Sequence, residues 1–224
     1  MQRFVETFLK PSVIGSTWPK ILDGMLITVE LGVVVVICGL ALGLVLALIR
    51  TAQIRLLNAL IIVFVDVLRA LPPLVMVLIV YFGLPNVGLM LPSFAVLWLV
   101  LALVLAAFAE EIFWAGILSV RRGQWDAARS TGLTFAETLA FVVLPQTVRM
   151  VLPPLVNRTI AITKNTALGT VIGVPELLNQ ATTAVSFLSN ATPLTLAAIG
   201  YLIIFVPVVL LGNWLERRFA FRRA

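Results

Sequence analysis

Long apolar runs alternate with short polar breaks along this chain. No Asp, Glu, Lys or Arg occurs in 31–49, in 70–109 or in 177–215. A helix of about 20 apolar residues crosses the hydrocarbon core of a bilayer. Backbone groups there must be satisfied within the chain, so a span of this kind is a helix. The pattern predicts five spans, at about 24–49, 56–82, 92–118, 146–169 and 195–214. The second ends in the turn signals Gly83, Pro85, Asn86 and Gly88. The stretch between the fourth and fifth spans is semi-apolar and broken, and is expected to form a short helix at the outer face. The fold class is therefore all-α, a polytopic membrane protein with one transmembrane domain over 1–224.

One loop, 119–145, departs from this apolar character. Asp126, Ala127 and Ala128 are followed after three residues by Gly132, and after nine more by Val142-x-Leu144-Pro145. Residues 126–131 predict a short helix closed by Gly132, which takes left-handed dihedrals without steric cost. Residues 133–143 predict a second helix, with Leu133, Leu139, Val142 and Val143 as its apolar positions and Pro145 as its stop. Two short helices at an angle make a rigid knob. The small pair Ala127-Ala128 would let a partner surface approach closely.

Composition agrees with the class: 61% of residues are apolar and 12% charged. The one cysteine, Cys38, lies in the first span, and the chain has no histidine. No disulfide framework and no zinc or haem site is expected. Residues 1–23 carry Arg3, Lys10 and Lys20 without the apolar core of a cleaved leader. They read as an interfacial segment anchored in lipid by Phe4, Phe8 and Trp18.

The positive charges set the orientation. Arg50 and Arg55 lie in the first connection, and Arg121, Arg122 and Arg129 in the third. Arg217, Arg218, Arg222 and Arg223 lie in the tail, 215–224. The other two connections have neither Lys nor Arg. The amino terminus is expected outside, with the knob and the carboxyl terminus in the cytoplasm. The net charge of +6 is then a consequence of topology, and no nucleic-acid partner is implied.

Further motifs extend around the loop. The second span carries Asp66-x-x-Arg69-Ala70-Leu71-Pro72-Pro73, and the third carries Glu111-Ile112-x-x-x-Gly116-Ile117 ahead of Gly123-Gln124. The knob is followed by Leu144-Pro145-Gln146-x-x-Arg149, Leu152-Pro153-Pro154-Leu155-x-Asn157 and Lys164-Asn165-Thr166-x-Leu168. Together these resemble the permease subunit of polar amino acid ABC importers, the histidine/glutamate/glutamine/arginine uptake branch, from about residue 24 to 218. Asp126 stands where that family usually has Glu, and Ala70-Leu71-Pro72 where it has Gly-Thr-Pro. Trp114 stands where a basic residue is common, and Glu110 adds a second acid. Asn165 and Ala167 stand where Asp and Ser are common.

The resemblance implies a type I importer permease in the bacterial inner membrane, translocating a polar amino acid or an amino-acid-like solute such as an opine. Two permease subunits, identical or homologous, would enclose the path. A cytoplasmic ATPase dimer would receive the knobs through Gly123, Asp126, Ala127, Ala128, Gly132, Leu144 and Pro145. A periplasmic binding protein would deliver the solute. The chain has no phosphate-binding loop of the Gly-x-x-x-x-Gly-Lys-Ser/Thr type, so no cofactor of its own is expected and ATP would be bound by the partner. A self-sufficient secondary transporter would usually show internal repeats, and none is evident.

A zwitterion needs groups that replace water, and intramembrane charges cost about 2.5–3.5 kcal/mol each, so they point to function. Arg69, Glu111, Asn157, Lys164 and Thr166 are the expected path residues. Asp66 and Arg69, spaced i, i+3, are placed to pair on one helix face. Glu110 and Glu111 lie about 100° apart on a helix; Glu111 is the one expected to have the interior role. Pro72-Pro73 and Pro153-Pro154 are expected to break their spans. Gly39-x-x-x-Gly43 permits close helix packing.

Overall fold

The computed structural model describes residues 2–219. The predicted tail residues Arg222 and Arg223 lie outside the described residues. In chain order the helices are α1 (Gln2–Phe8), α2 (Pro11–Arg50), α3 (Arg55–Ala70), α4 (Pro73–Gly83), α5 (Ser93–Ser119), α6 (Arg122–Ser130), α7 (Phe135–Thr138), α8 (Leu144–Lys164), α9 (Leu177–Leu188) and α10 (Thr192–Phe219). Four helical stretches are long and apolar enough to cross a membrane, and α3 with α4 makes a fifth if the broken pair is one span.

The first span is longer than the apolar pattern implied. α2 runs unbroken for 40 residues from Pro11, with Pro19 inside it. Pro11 opens the helix, where a missing N–H costs nothing. Pro19 forfeits one hydrogen bond, yet the helix runs on through it. Residues 11–23 thus belong to the same continuous helix as the first apolar run. The second span breaks at Leu71-Pro72, as its proline pair predicts. The stretch after the fourth span is helical as expected: α9 is capped by Glu176, whose carboxylate accepts the N–H groups of Leu178 and Asn179 at 2.9 and 2.8 Å.

The fourth span corrects two expectations. Pro145 does not stop the second knob helix, and Pro153-Pro154 does not break the span. Helix continues from α7 through a π-turn, Leu139–Val143, into α8. The Leu144 N–H donates to the Leu139 carbonyl, five residues back. That wider turn shifts the bonding frame just before Pro145 and relieves the clash its ring would meet in a regular helix. Pro153 and Pro154 lose two donors, but buried Val151 and Leu155 clamp the turn from either side. Beyond Lys164 the helix tightens into a 3₁₀ segment, Asn165–Ile172, closed by Gly173 at φ 74°.

The described residues group into two compact units through which the chain passes repeatedly. One comprises Leu71–Ala102, Ile160–Val209 and the amino-terminal stretch through Ile37. Its core packs Ile21, Leu177, Ala181, Leu196 and Ala197. Buried Glu176 is fully satisfied there, also accepting from the hydroxyls of Thr170 at 2.6 Å and Tyr201 at 2.9 Å.

The second unit comprises Cys38–Ala70, Leu103–Thr159 and the stretch from Leu210. Here α2 and α5 touch backbone to backbone. A Cβ on Gly43 would lie 2.6 Å from Ala109 Cβ and 2.8 Å from the Ala106 carbonyl oxygen, and one on Gly39 would strike Leu105. The Gly-x-x-x-Gly spacing therefore serves close packing. Below that contact Ala47, Phe113, Ile117, Val120, Val143 and Val151 form one buried cluster.

Candidate functional site

The knob, read from its residues upward, is one short helix, α6, set against the first turns of the continuous helix that opens with α7. α6 starts at Arg122, earlier than expected, and ends at Ser130. The Thr131 and Gly132 N–H groups donate back to Ala128 and Arg129 at 3.2 and 3.1 Å, and Gly132 has φ 94°. α7 starts at Phe135, two residues later than predicted, because Thr134 caps it. The Glu137 N–H donates to Thr134 Oγ1 at 3.3 Å, and the Thr134 N–H donates to Glu137 Oε2 at 2.8 Å. These bonds from Thr134, backbone first, hold the carboxyl of solvent-exposed Glu137 below the usual carboxylate range. The Thr-x-x-Glu signature was present in the sequence and marks this boundary. Trp125 of α6 stacks on Phe135 of α7 at 5.5 Å and fixes the angle between them.

Exposure divides the predicted docking residues. Gly123, Asp126, Ala127, Gly132 and Pro145 are exposed and Leu144 is half-buried. Ala128 is buried, so of the small pair only Ala127 is presented outward, and Ala128 lets α6 sit close on its own chain. Trp125, Leu139 and Leu144 pack on the same cluster that holds Ala47, Val120 and Val143. The knob is thereby mounted on the spanning helices of its unit instead of hanging from them.

A second constellation lies in the same unit. Arg69 of α3 forms an ion pair with Glu111 of α5. Arg69 does not pair with Asp66, which has no ion pair among the described residues: the long guanidinium stem reaches the next helix, where Glu111 is partly desolvated. The adjacent acids diverge as the helical rotation requires, and Glu110 is the one that turns to a neighbouring span. Glu110 is fully buried and Glu111 half-exposed. Arg50 Nη1 donates to Glu110 Oε1 at 3.0 Å, and its guanidinium lies 4.7 Å from the Trp114 ring centroid.

Phe108, one turn before Glu111, carries two guanidinium groups. Arg158 of α8 lies 3.8 Å and Arg69 5.3 Å from its ring centroid. A surface-open cavity of about 420 Å³ is lined by Ile112, Pro154, Asn157 and Arg158. Asn157 Nδ2 donates to Glu216 Oε1 at 2.6 Å. The place of Arg158 over Phe108 depends on the α5–α8 packing, which no local pattern encodes.

The remaining predicted residues belong to the other unit. Lys164 is exposed at the end of α8. Thr166 is fully buried and donates to the Thr163 carbonyl at 2.9 Å. Its hydroxyl is consumed within the 3₁₀ turn, so it packs there instead of facing an open surface. Among the described residues no group of His, Cys, Asp and Glu is arranged to hold a metal ion.

Residues 39–221 match the family of binding-protein-dependent transport system inner membrane components, and the chain belongs to that family. It is 33% identical over 202 residues to the arginine transport system permease protein ArtQ of Bacillus subtilis (strain 168), covering 89% of this chain and 92% of that protein. It is 32% identical over 210 residues to the glutamine transport system permease protein GlnP of Escherichia coli (strain K12), covering 92% and 96%. A crystal structure of an amino acid ABC transporter with histidines superposes with TM-score 0.83 at 32% identity, over 92% of this chain and 96% of that one. The chain is thus a multi-pass permease subunit of the ABC importer class, with ATP hydrolysis in a separate subunit.

Proposed function

We propose that this permease carries a polar amino acid inward through the second unit's charged constellation. The observation that carries the reading is the Arg69–Glu111 pair beside a cavity lined by Asn157 and Arg158. A zwitterion presents one carboxylate and one ammonium, and a half-exposed ion pair offers one partner for each. A guanidinium meets a carboxylate through two parallel hydrogen bonds. The permease relatives named for arginine and glutamine support the same solute class.

Two such permeases, identical or homologous, enclose the path, and a binding protein outside delivers the solute. The amino terminus faces out and the knob faces in, in keeping with the Lys and Arg distribution. Each knob seats in an ATPase subunit, which binds the ATP. Closure of the ATPase dimer draws the knobs together and rocks the spans, and hydrolysis resets them. The packing of Trp125, Leu139 and Leu144 on the spanning helices supports that route, since a rigid mount passes displacement on without absorbing it. Uptake of a panel of labelled amino acids by the reconstituted complex tests the proposal. Transport of none of them, with ATPase activity intact, would refute it.

A further inference from the structure

We infer that the solute carries a second carboxylate, and that Arg158 is the residue that selects it. The inference rests on the proposed function and names its substrate class. The lining of the cavity has one charged side chain, Arg158. Among the described residues no carboxylate forms an ion pair with it, whereas Arg69 is matched by Glu111 and Arg50 by Glu110. Glu216, the carboxylate that reaches this region from α10, already accepts the Asn157 amide at 2.6 Å. An unmatched guanidinium in a span is costly unless something compensates it. Here the compensation within the chain is the face of Phe108, 3.8 Å away. A ring quadrupole orients a guanidinium and partly offsets its desolvation, but leaves its N–H edge free for an anion.

Arg69 and Arg158 share the Phe108 ring, at 5.3 and 3.8 Å from its centroid. Two guanidinium groups are thus held within the length of one small amino acid, with Glu111 beside the first. An acidic amino acid presents an α-carboxylate, an α-ammonium and a side-chain carboxylate. Arg69, Glu111 and Arg158 supply the three complementary charges. A neutral polar amino acid would leave Arg158 unmatched on binding, and a cationic one would be repelled by it. Ile112 and Pro154, the apolar residues of the cavity lining, furnish the wall along which the methylene stem lies.

Selectivity of the whole importer also depends on its binding protein, so the test reads the permease directly. The purified permease–ATPase complex, without binding protein, is titrated calorimetrically with L-glutamate, L-aspartate, L-glutamine, L-asparagine and L-arginine. The amides match the acids in size and differ in charge and in presenting an NH2 donor where the acid has an acceptor oxygen. The acids are expected to bind about 10- to 100-fold more tightly than their amides, the range of one charge-assisted hydrogen-bonded contact. Arg158→Gln should remove that preference while leaving the weaker amide binding in place, and Arg158→Lys should restore part of it. Amides binding as tightly as acids in the wild-type complex would overturn the inference and leave the proposed function standing. Binding of no amino acid at all would overturn both. The wild-type comparison decides the matter even if Arg158→Gln does not assemble.

Discussion

Arg50, the last residue of α2, reaches Glu110 of α5 at 3.0 Å, and the carboxylate it meets has no exposure to solvent. Trp114, one turn further along α5, stacks on the same guanidinium. The pair joins the end of the first span to the helix that leads into the knob. Removing one partner of a buried pair costs about 3–5 kcal/mol, because the other is left unmatched. Arg50 is 17% exposed and Glu110 fully buried, so the two losses differ. Arg50→Ala should lower the thermal midpoint of the purified complex most, since it strands a carboxylate. Glu110→Gln should lower it less. The double variant should be more stable than Arg50→Ala alone. A double variant less stable than both single variants would show that the two side chains do not depend on each other.

Gly132 controls the turn of the knob through its backbone. At φ 94° a side chain is strained even though a Cβ would meet nothing within 4 Å. Gly132→Val should cost about 1 kcal/mol or more at the turn and misalign α6 against α7. Gly132→Asn should be milder, since asparagine tolerates positive φ. Transport and solute-stimulated ATPase activity should fall together in the valine variant while its amount in the membrane is unchanged. Normal stimulation would remove the knob from the coupling path.

Two glycines of α2 should behave in opposite ways. Gly43 lies against α5 so closely that a Cβ would enter the Ala106 carbonyl and Ala109, and backbone atoms cannot rotate aside. Gly15 has nothing within 4 Å. Gly43→Ala should therefore cost about 1–3 kcal/mol through forced separation of the helices, and Gly15→Ala should be neutral. Equal thermal midpoints for the two variants would contradict the close α2–α5 approach.

How far these features could be read from the sequence varies with their range. Spans declare themselves through uninterrupted hydropathy, and Gly132 through its place after a short helical run. The start of α7 was equally local, written in Thr134 and Glu137. Pro145 and Pro153-Pro154 misled because local propensity assigns a stop to each. Their helix persists through a π-turn and through tertiary clamping by Val151 and Leu155, neither of which is a local signal. Arg69 shows the same limit. The i, i+3 spacing offered Asp66, but the guanidinium meets Glu111, which came within its reach only when α3 met α5. Glu110 stood out as an additional acid, yet its burial follows from which side of α5 faces Arg50.

The Arg69–Glu111 pair permits a test that separates binding from scaffolding. Its side chains are 32% and 46% exposed, and pairs of that kind contribute about 0–1 kcal/mol to stability. Neutralising either residue should leave assembly and basal ATPase activity intact. If each residue meets the solute, Arg69→Gln and Glu111→Gln should each weaken solute binding about 10- to 100-fold, the loss expected for one charge-assisted contact. The exchanged variant, with Arg69→Glu and Glu111→Arg together, discriminates further. It keeps an ion pair between α3 and α5, so a purely structural role predicts that it transports normally. A solute-binding role predicts that it assembles but transports poorly, because the carboxylate and ammonium partners have traded places while the solute's handedness and side-chain direction have not. Assembly with restored uptake in the exchanged variant would assign the pair to scaffolding and move the solute contacts elsewhere in the path.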